Sequence, residues 1–128
     1  MCHQTVSLVA RHLEANGIPT VIVGSARDIV EQAGVARFLF VDYPLGNSTG
    51  RPGEVAEQAT ICGQAIDLLE RAWQPRTTVQ SNMTWGSDEW RANYMRVDDT
   101  NRARLAAAGA ARRDEQASAK ADGRARTS

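Results

Sequence analysis

The sequence predicts an α/β fold: a small, partial three-layer parallel sheet in the order α-β-α-β-α, followed by a helical C-terminal arm. Two short runs, TVIV at residues 20–23 and FLFV within residues 37–43, are apolar on both faces, as strands buried between helix layers are. Segments of helical period precede, separate and follow them. Strands that alternate with helices imply a parallel sheet with right-handed crossovers.

The elements follow in order. Residues 4–16 form the first helix, because Val6, Val9, Ala10 and Leu13 recur at i, i+3, i+4 and i+7 and predict its buried stripe. Asn16-Gly17 stops it and Pro19 prevents its resumption. After the TVIV strand, Ser25 is the expected N-cap of a second helix, with Asp28 three residues on and Gly34 at its end. The FLFV strand leads into PLGNSTGRPG at residues 44–53, a loop that Gly and Pro punctuate heavily. The longest helix covers residues 54–73. Val55, Ala59, Cys62, Ile66, Leu69 and Trp73 recur at spacings of four and three and predict its apolar face, with Cys62 as a small buried hydrophobe.

Past Pro75 the character changes. Residues 1–75 read as the partial α/β domain, 76–112 as the helical arm and 113–128 as a disordered tail without large apolar residues. Residues 76–84 are polar and non-periodic. Ser87-Asp88-Glu89 can start a helix, and a polar helix is expected near 98–111. Trp85, Trp90 and Tyr94 suggest either a ligand cage or, more naturally, an arm that packs on a partner. Only Met1 and Cys2 precede the first helix, where a strand normally would, and two parallel strands leave open edges. Either that strand comes from another chain, or the reading frame begins late, or the product is truncated at its N-terminus; a partner strand or subunit, in an oligomer or hetero-complex, is expected.

The chain has 128 residues, with 15 Lys+Arg against 15 Asp+Glu. That balance gives no reason to expect nucleic acid or a membrane surface as partner. No stretch reaches the roughly 18–20 apolar residues of a membrane span, and the N-terminus lacks a secretory pattern. A cytoplasmic location is the default. Two cysteines make no disulfide scaffold.

In an open parallel sheet, ligands bind beyond the carboxyl ends of the strands. Gly24-Ser25 follows one strand and the 44–53 loop follows the other. Cys2, just before a helix, would follow a strand ahead of it. Three segments thus converge on one edge. A helix N-terminus stabilises a thiolate, and Cys2-His3-Gln4-Thr5 has the form C-x-x-T, with the Thr5 hydroxyl where a resolving thiol would stand. Two readings of Cys2 stand: a nucleophile and a frayed terminal residue. His3 either supports the thiolate as a catalytic partner or is a solvated surface histidine. Ser25, Gly46, Asn47 and Ser48 are the expected substrate-facing residues beside Thr5, and the loop's N–H groups with Arg51 nearby could meet an anion. Cys2, His3 and His12 do not match zinc spacing, so no metal is expected, and no motif calls for a cofactor.

Gly17-Ile18-Pro19-Thr20-Val21, then Arg37-Phe38-Leu39-Phe40-Val41, then Pro44-Leu45-Gly46-Asn47 before a long helix together resemble the C-terminal part of the glycine/sarcosine/betaine/D-proline reductase family. The resemblance covers about residues 2–73 and is nearest to the selenoprotein B subunit and its selenium-free relatives. It implies reductive cleavage of a C–N bond in a small amino-acid-like substrate, other reductase subunits, and a thioredoxin-type electron donor. The family's reactive selenocysteine or cysteine lies at the turn before the first helix, where Cys2 stands. The alternative is a non-catalytic subunit, or a remnant of such a reductase.

Overall fold

In the computed structural model, which describes residues 2–94 and 96–123, helix α1 spans Cys2–Ala15 and begins at the cysteine itself. Its end is the expected one. Gly17 takes φ 79°, its N–H donates to Glu14 O at 3.1 Å, and the Ile18 N–H donates to Leu13 O at 3.0 Å. This satisfies carbonyls that the helix leaves open. Strand β1 (Ile22–Gly24), helix α2 (Arg27–Ala33) and strand β2 (Arg37–Phe40) follow, and Gly34 closes α2 in the left-handed region. Helix α3 (Val55–Arg71) leads to strand β3 (Thr77–Gln80).

The sheet has the order β1-β2-β3, all parallel, with Ile22 beside Phe38 and Phe38 beside Thr78. Residues 76–84, expected to be irregular, therefore contain the third strand. Thr77-Thr78-Val79 is β-branched throughout, which suits a pleated surface, but its short polar pattern acquires meaning only beside β2. The partial domain thus continues beyond residue 75, and one compact unit extends over Met1–Arg91.

Side chains alternate across the sheet. Ile22, Phe38 and Phe40 meet Ala10 of α1 and Val30 of α2 on one face. Leu39, Val41 and Tyr43 meet Ile61, Ala65 and Leu68 of α3 on the other. Buried residues of this kind contribute about 1.5–3 kcal/mol each, so both faces hold the sheet and three layers result. The strand order advances in one direction, yet α2 and α3 lie on opposite faces. The two crossovers therefore have opposite hands, and one of them departs from the expected right-handed connection.

The sequence misjudges which helix faces are buried. In α1 the inward residues are His3, Ser7 and Ala10, whereas Val6 and Val9 are exposed. Ser7 lies inside because its Oγ donates to His3 O at 2.7 Å. In α3 the inward residues are Glu57, Ile61, Ala65 and Leu68. The stripe through Val55, Cys62 and Ile66 faces outward, and Cys62 is an exposed thiol; the helix ends at Arg71, so Trp73, also exposed, lies beyond it and not in its stripe.

Helix α4 (Glu89–Asn93) begins where Ser87 Oγ accepts the Glu89 N–H at 3.1 Å. The second unit, Ala92–Ser128, carries helix α5 (Arg102–Ala121). Residues 113–121 are thus helical, not part of a disordered tail. Alanine and arginine favour helix without any buried face, and 20 residues suffice for the local bonds to outweigh nucleation. The remainder of the expected tail, 124–128, lies outside the described residues.

Candidate functional site

The three segments expected at one edge do meet, through two contacts. Ser25 Oγ and Ser48 Oγ lie 2.8 Å apart and join the end of β1 to the 44–53 loop. Ser25 is therefore not the N-cap of α2: that position falls to Ala26, which has no side-chain cap. The second contact runs through His3, which is buried and not a solvated surface histidine. Its Nε2 accepts the backbone N–H groups of Ser25 at 3.0 Å and Ala26 at 3.3 Å. Two donors aimed at Nε2 require its lone pair, so the ring proton sits on Nδ1. Nδ1 in turn lies 3.5 Å from Cys2 Sγ, and the N–H faces the sulfur.

Burial lowers the proton affinity of His3 below its ordinary value, while the Asp28 carboxylate acts in the opposite sense. The ring approaches β1 closely because residue 24 is glycine. A Cβ there would stand 2.8 Å from His3 Cδ2 and 3.0 Å from Nε2.

Cys2, His3, Val6, Val23, Gly46, Ser48 and Thr49 line one cleft of about 250 Å³. Cys2 is exposed at its margin. Gly46 takes φ 91°, where its missing side chain leaves the loop open. Thr5 is exposed on α1 and Asn47 is half-buried; neither lines this cleft. The Asn47 backbone holds a turn instead, its N–H donating to Pro44 O and its carbonyl accepting the Gly50 N–H, both at 3.0 Å.

Arg51 is not a free cation for an anionic ligand. Its Nε donates to Glu57 Oε2 at 2.8 Å, and its backbone N–H donates to Glu57 Oε1 at 2.8 Å. The Arg51 guanidinium holds the Glu57 carboxyl below the usual range. Burial, and then neighbouring Glu57, push the Tyr43 phenol up.

A second, larger cleft of about 540 Å³ opens beyond the ends of β2 and β3, between Asp42, Ser81, Thr84, Trp85, Trp90 and Arg91. Sequence reasoning missed it, because seeing it requires β3. Asp42, directly after the FLFV run, was the available signal. Arg91 pairs with both Asp42 and Asp88 and lies 4.5 Å over the Trp90 ring. Its charge is met from within the chain. Trp85 packs edge-on against Tyr43, with centroids 5.1 Å apart, so Trp85 and Trp90 do not form a cage with open faces.

Among the described residues no group of three or more His, Cys, Asp or Glu could hold a metal ion, and no helix is long and apolar enough to cross a membrane. No family model and no solved structure matches the chain. Over 68 residues it is 32% identical to D-proline reductase subunit gamma of Acetoanaerobium sticklandii, a match that covers 53% of this chain. The chain spans about 28% of that relative's length. A relative of a reductase subunit is thus found, while the nearer likeness to a selenoprotein B subunit is not separately matched.

Proposed function

We propose that the chain is a thiol-dependent reductase subunit of the D-proline and glycine/betaine reductase type, with Cys2 as its nucleophile. One observation supports this most: a neutral imidazole, fixed in one tautomer by two backbone donors, turns its remaining N–H toward an exposed cysteine sulfur. Such a donor stabilises negative charge on sulfur. His3 is then a hydrogen-bond donor to Cys2 and not its general base, because its only lone pair is engaged.

In this reading a small amino-acid-like substrate enters the cleft between Cys2 and the loop at Gly46 and Ser48. The sulfur attacks the carbon that bears the amine. A C–S bond forms as the C–N bond breaks, and the amine leaves with the bonding pair and takes up a proton. Release of the carbon fragment needs two electrons and a further proton, which a dithiol donor of thioredoxin type supplies. Overall, R–NHR′ with two electrons and two protons gives R–H and R′NH2. The likeness to a reductase subunit supports the reaction class, and the cleft's small volume supports a small substrate.

The test is substrate protection. Iodoacetate, a small carboxylate-bearing electrophile, labels Cys2 in preference to Cys62, and millimolar D-proline or sarcosine slows labelling of Cys2 alone. Labelling of Cys2 that no small amino acid affects contradicts the proposal.

A further inference from the structure

We infer that the chain pairs with a second copy of itself along β3, strand against antiparallel strand, about a two-fold axis at Val79. This surface lies at the opposite margin of the sheet from β1, and nothing in it rests on the thiol chemistry.

β3 is terminal in the order β1-β2-β3, so its outer edge has no neighbour among the described strands. Its inner edge is engaged: the Thr77 N–H donates to Ala36 O at 3.1 Å, and the Ser81 N–H donates to Phe40 O at 2.8 Å. Peptide groups alternate along a strand, so Val79 also turns to β2, while the N–H and C=O groups of Thr78 and Gln80 turn to the free edge. Val79 lies beside Leu39 and shares its α3 face, and Thr78 lies beside Phe38 on the other face. Residues opposite one another in antiparallel strands share a face, so a two-fold axis through the sheet must pass at a residue and not between two. With Val79 at the axis, Val79 faces the partner's Val79 and Thr78 faces the partner's Gln80. Every outward N–H of Thr78 and Gln80 then finds a carbonyl. No charged residue lies within Thr77–Gln80, so no charge meets its like across the junction.

The helices permit this approach. α2 and α3 lie against β2, and α1 lies against β1. In the pair, β2 and the partner's β2 stand three strand spacings apart, about 14 Å. Helices touch at about 8–10 Å, so equivalent helices do not collide, and a trough remains between α3 and its copy. The side chains beside β3 suit that trough. A cleft of about 340 Å³ between α3 and β3 is lined by Leu68, Ala72, Trp73 and Val79, and Trp73 is 80% exposed. Exposed indoles of this kind anchor interfaces. Charge selects a second copy over any other strand. Gln64 accepts from Ser81 at 2.6 Å and donates to Asn82 at 2.7 Å, and Gln74 O accepts from Thr77 Oγ1 at 2.7 Å. α3 thus runs antiparallel to β3, and the middle of that span, at Leu69, is level with Val79. Asp67 and Arg71, both lining the cleft, stand at equal heights on either side of the axis. The two-fold exchanges those heights, so Asp67 meets the partner's Arg71 and Arg71 meets the partner's Asp67. Their pairing within one copy is loose, at 3.7 Å with both side chains exposed, and leaves them free to reach across.

The experiment uses the full 128-residue chain. A junction of this length is a small interface, so sedimentation equilibrium is carried to about 1 mM, where the average mass is expected to rise toward that of two chains. Amide exchange, followed by NMR, is expected to slow roughly fivefold or more at Thr78 and Gln80 between dilute and concentrated samples, with Val23 at the other edge unchanged. Val79→Lys sets two ammonium groups face to face at the axis and is expected to leave a folded monomer. Asp67→Arg and Arg71→Asp are each expected to weaken the pair, and the double exchange to restore it, which separates a lost contact from a lost fold. A monomer at every concentration overturns the inference, as does slowed exchange at Val23 in place of Thr78 and Gln80. So does a dimer that Val79→Lys leaves intact, or one that the double exchange fails to restore.

Discussion

Gly24 and His3 are in close approach: a methyl group on Gly24 would stand 2.8 Å from the imidazole Cδ2. Phe38 Cε2, 3.3 Å from the same point, blocks retreat on the sheet side. Gly24→Ala is therefore expected to destabilise the fold by about 1–3 kcal/mol through overpacking, and to move the His3 N–H off the Cys2 sulfur. Thermal melting reads the first effect and the alkylation rate of Cys2 reads the second. Gly63, with nothing within 4 Å of an added Cβ, is the control. Gly63→Ala is expected to stabilise α3 by about 1 kcal/mol.

The pH dependence follows from His3. Its proton affinity is lowered in the folded state from the ordinary value of 6.5, so the unfolded chain binds the proton more readily. The corresponding stability is fully present above about 6.5 and is lost as pH falls through the lowered folded value. A protonated Nε2 would also oppose the N–H groups of Ser25 and Ala26. Melting temperatures at pH 7.5 and 5.5 are expected to fall with acid in the native chain, and to fall less in His3→Gln.

Cys62 is exposed, so Cys62→Ser is expected to change stability by no more than about 0.5 kcal/mol in a denaturant titration. A buried cysteine in that position would cost clearly more.

Glu57 holds the loop through both the backbone and the guanidinium of Arg51. Glu57→Ala leaves both donors without their acceptor. Limited proteolysis within residues 44–53 is expected to quicken, and more than in Arg51→Ala, which keeps the backbone bond.

Much of the fold was legible in the chain. Gly17 and Gly34 end their helices where their φ values require glycine, and the FLFV run gave β2. What escaped depends on partners distant in sequence. Thr77–Gln80 becomes a strand only by pairing with β2. Periodicity located α1 and α3 but chose the wrong faces, because an apolar stripe such as Val55–Cys62–Ile66 reads alike whether its own sheet or another molecule covers it. The convergence of Cys2, Ser25 and Ser48 followed from topology alone. The burial of His3 did not, since it depends on the space left at Gly24 and on N–H groups at the start of α2, features that no spacing encodes. Arg51 looked available because no spacing in the sequence shows that Glu57 turns inward to meet it.

On the proposed function the His3 N–H makes the Cys2 sulfur unlike an ordinary exposed thiol, and Cys62 supplies the comparison within the same molecule. Mass-spectrometric measurement of iodoacetamide labelling at both cysteines, in the native chain and in His3→Ala, tests it most directly. Cys2 is expected to react roughly tenfold or more faster than Cys62, with the ratio falling toward one in His3→Ala. Equal rates at the two thiols in the native chain would contradict it.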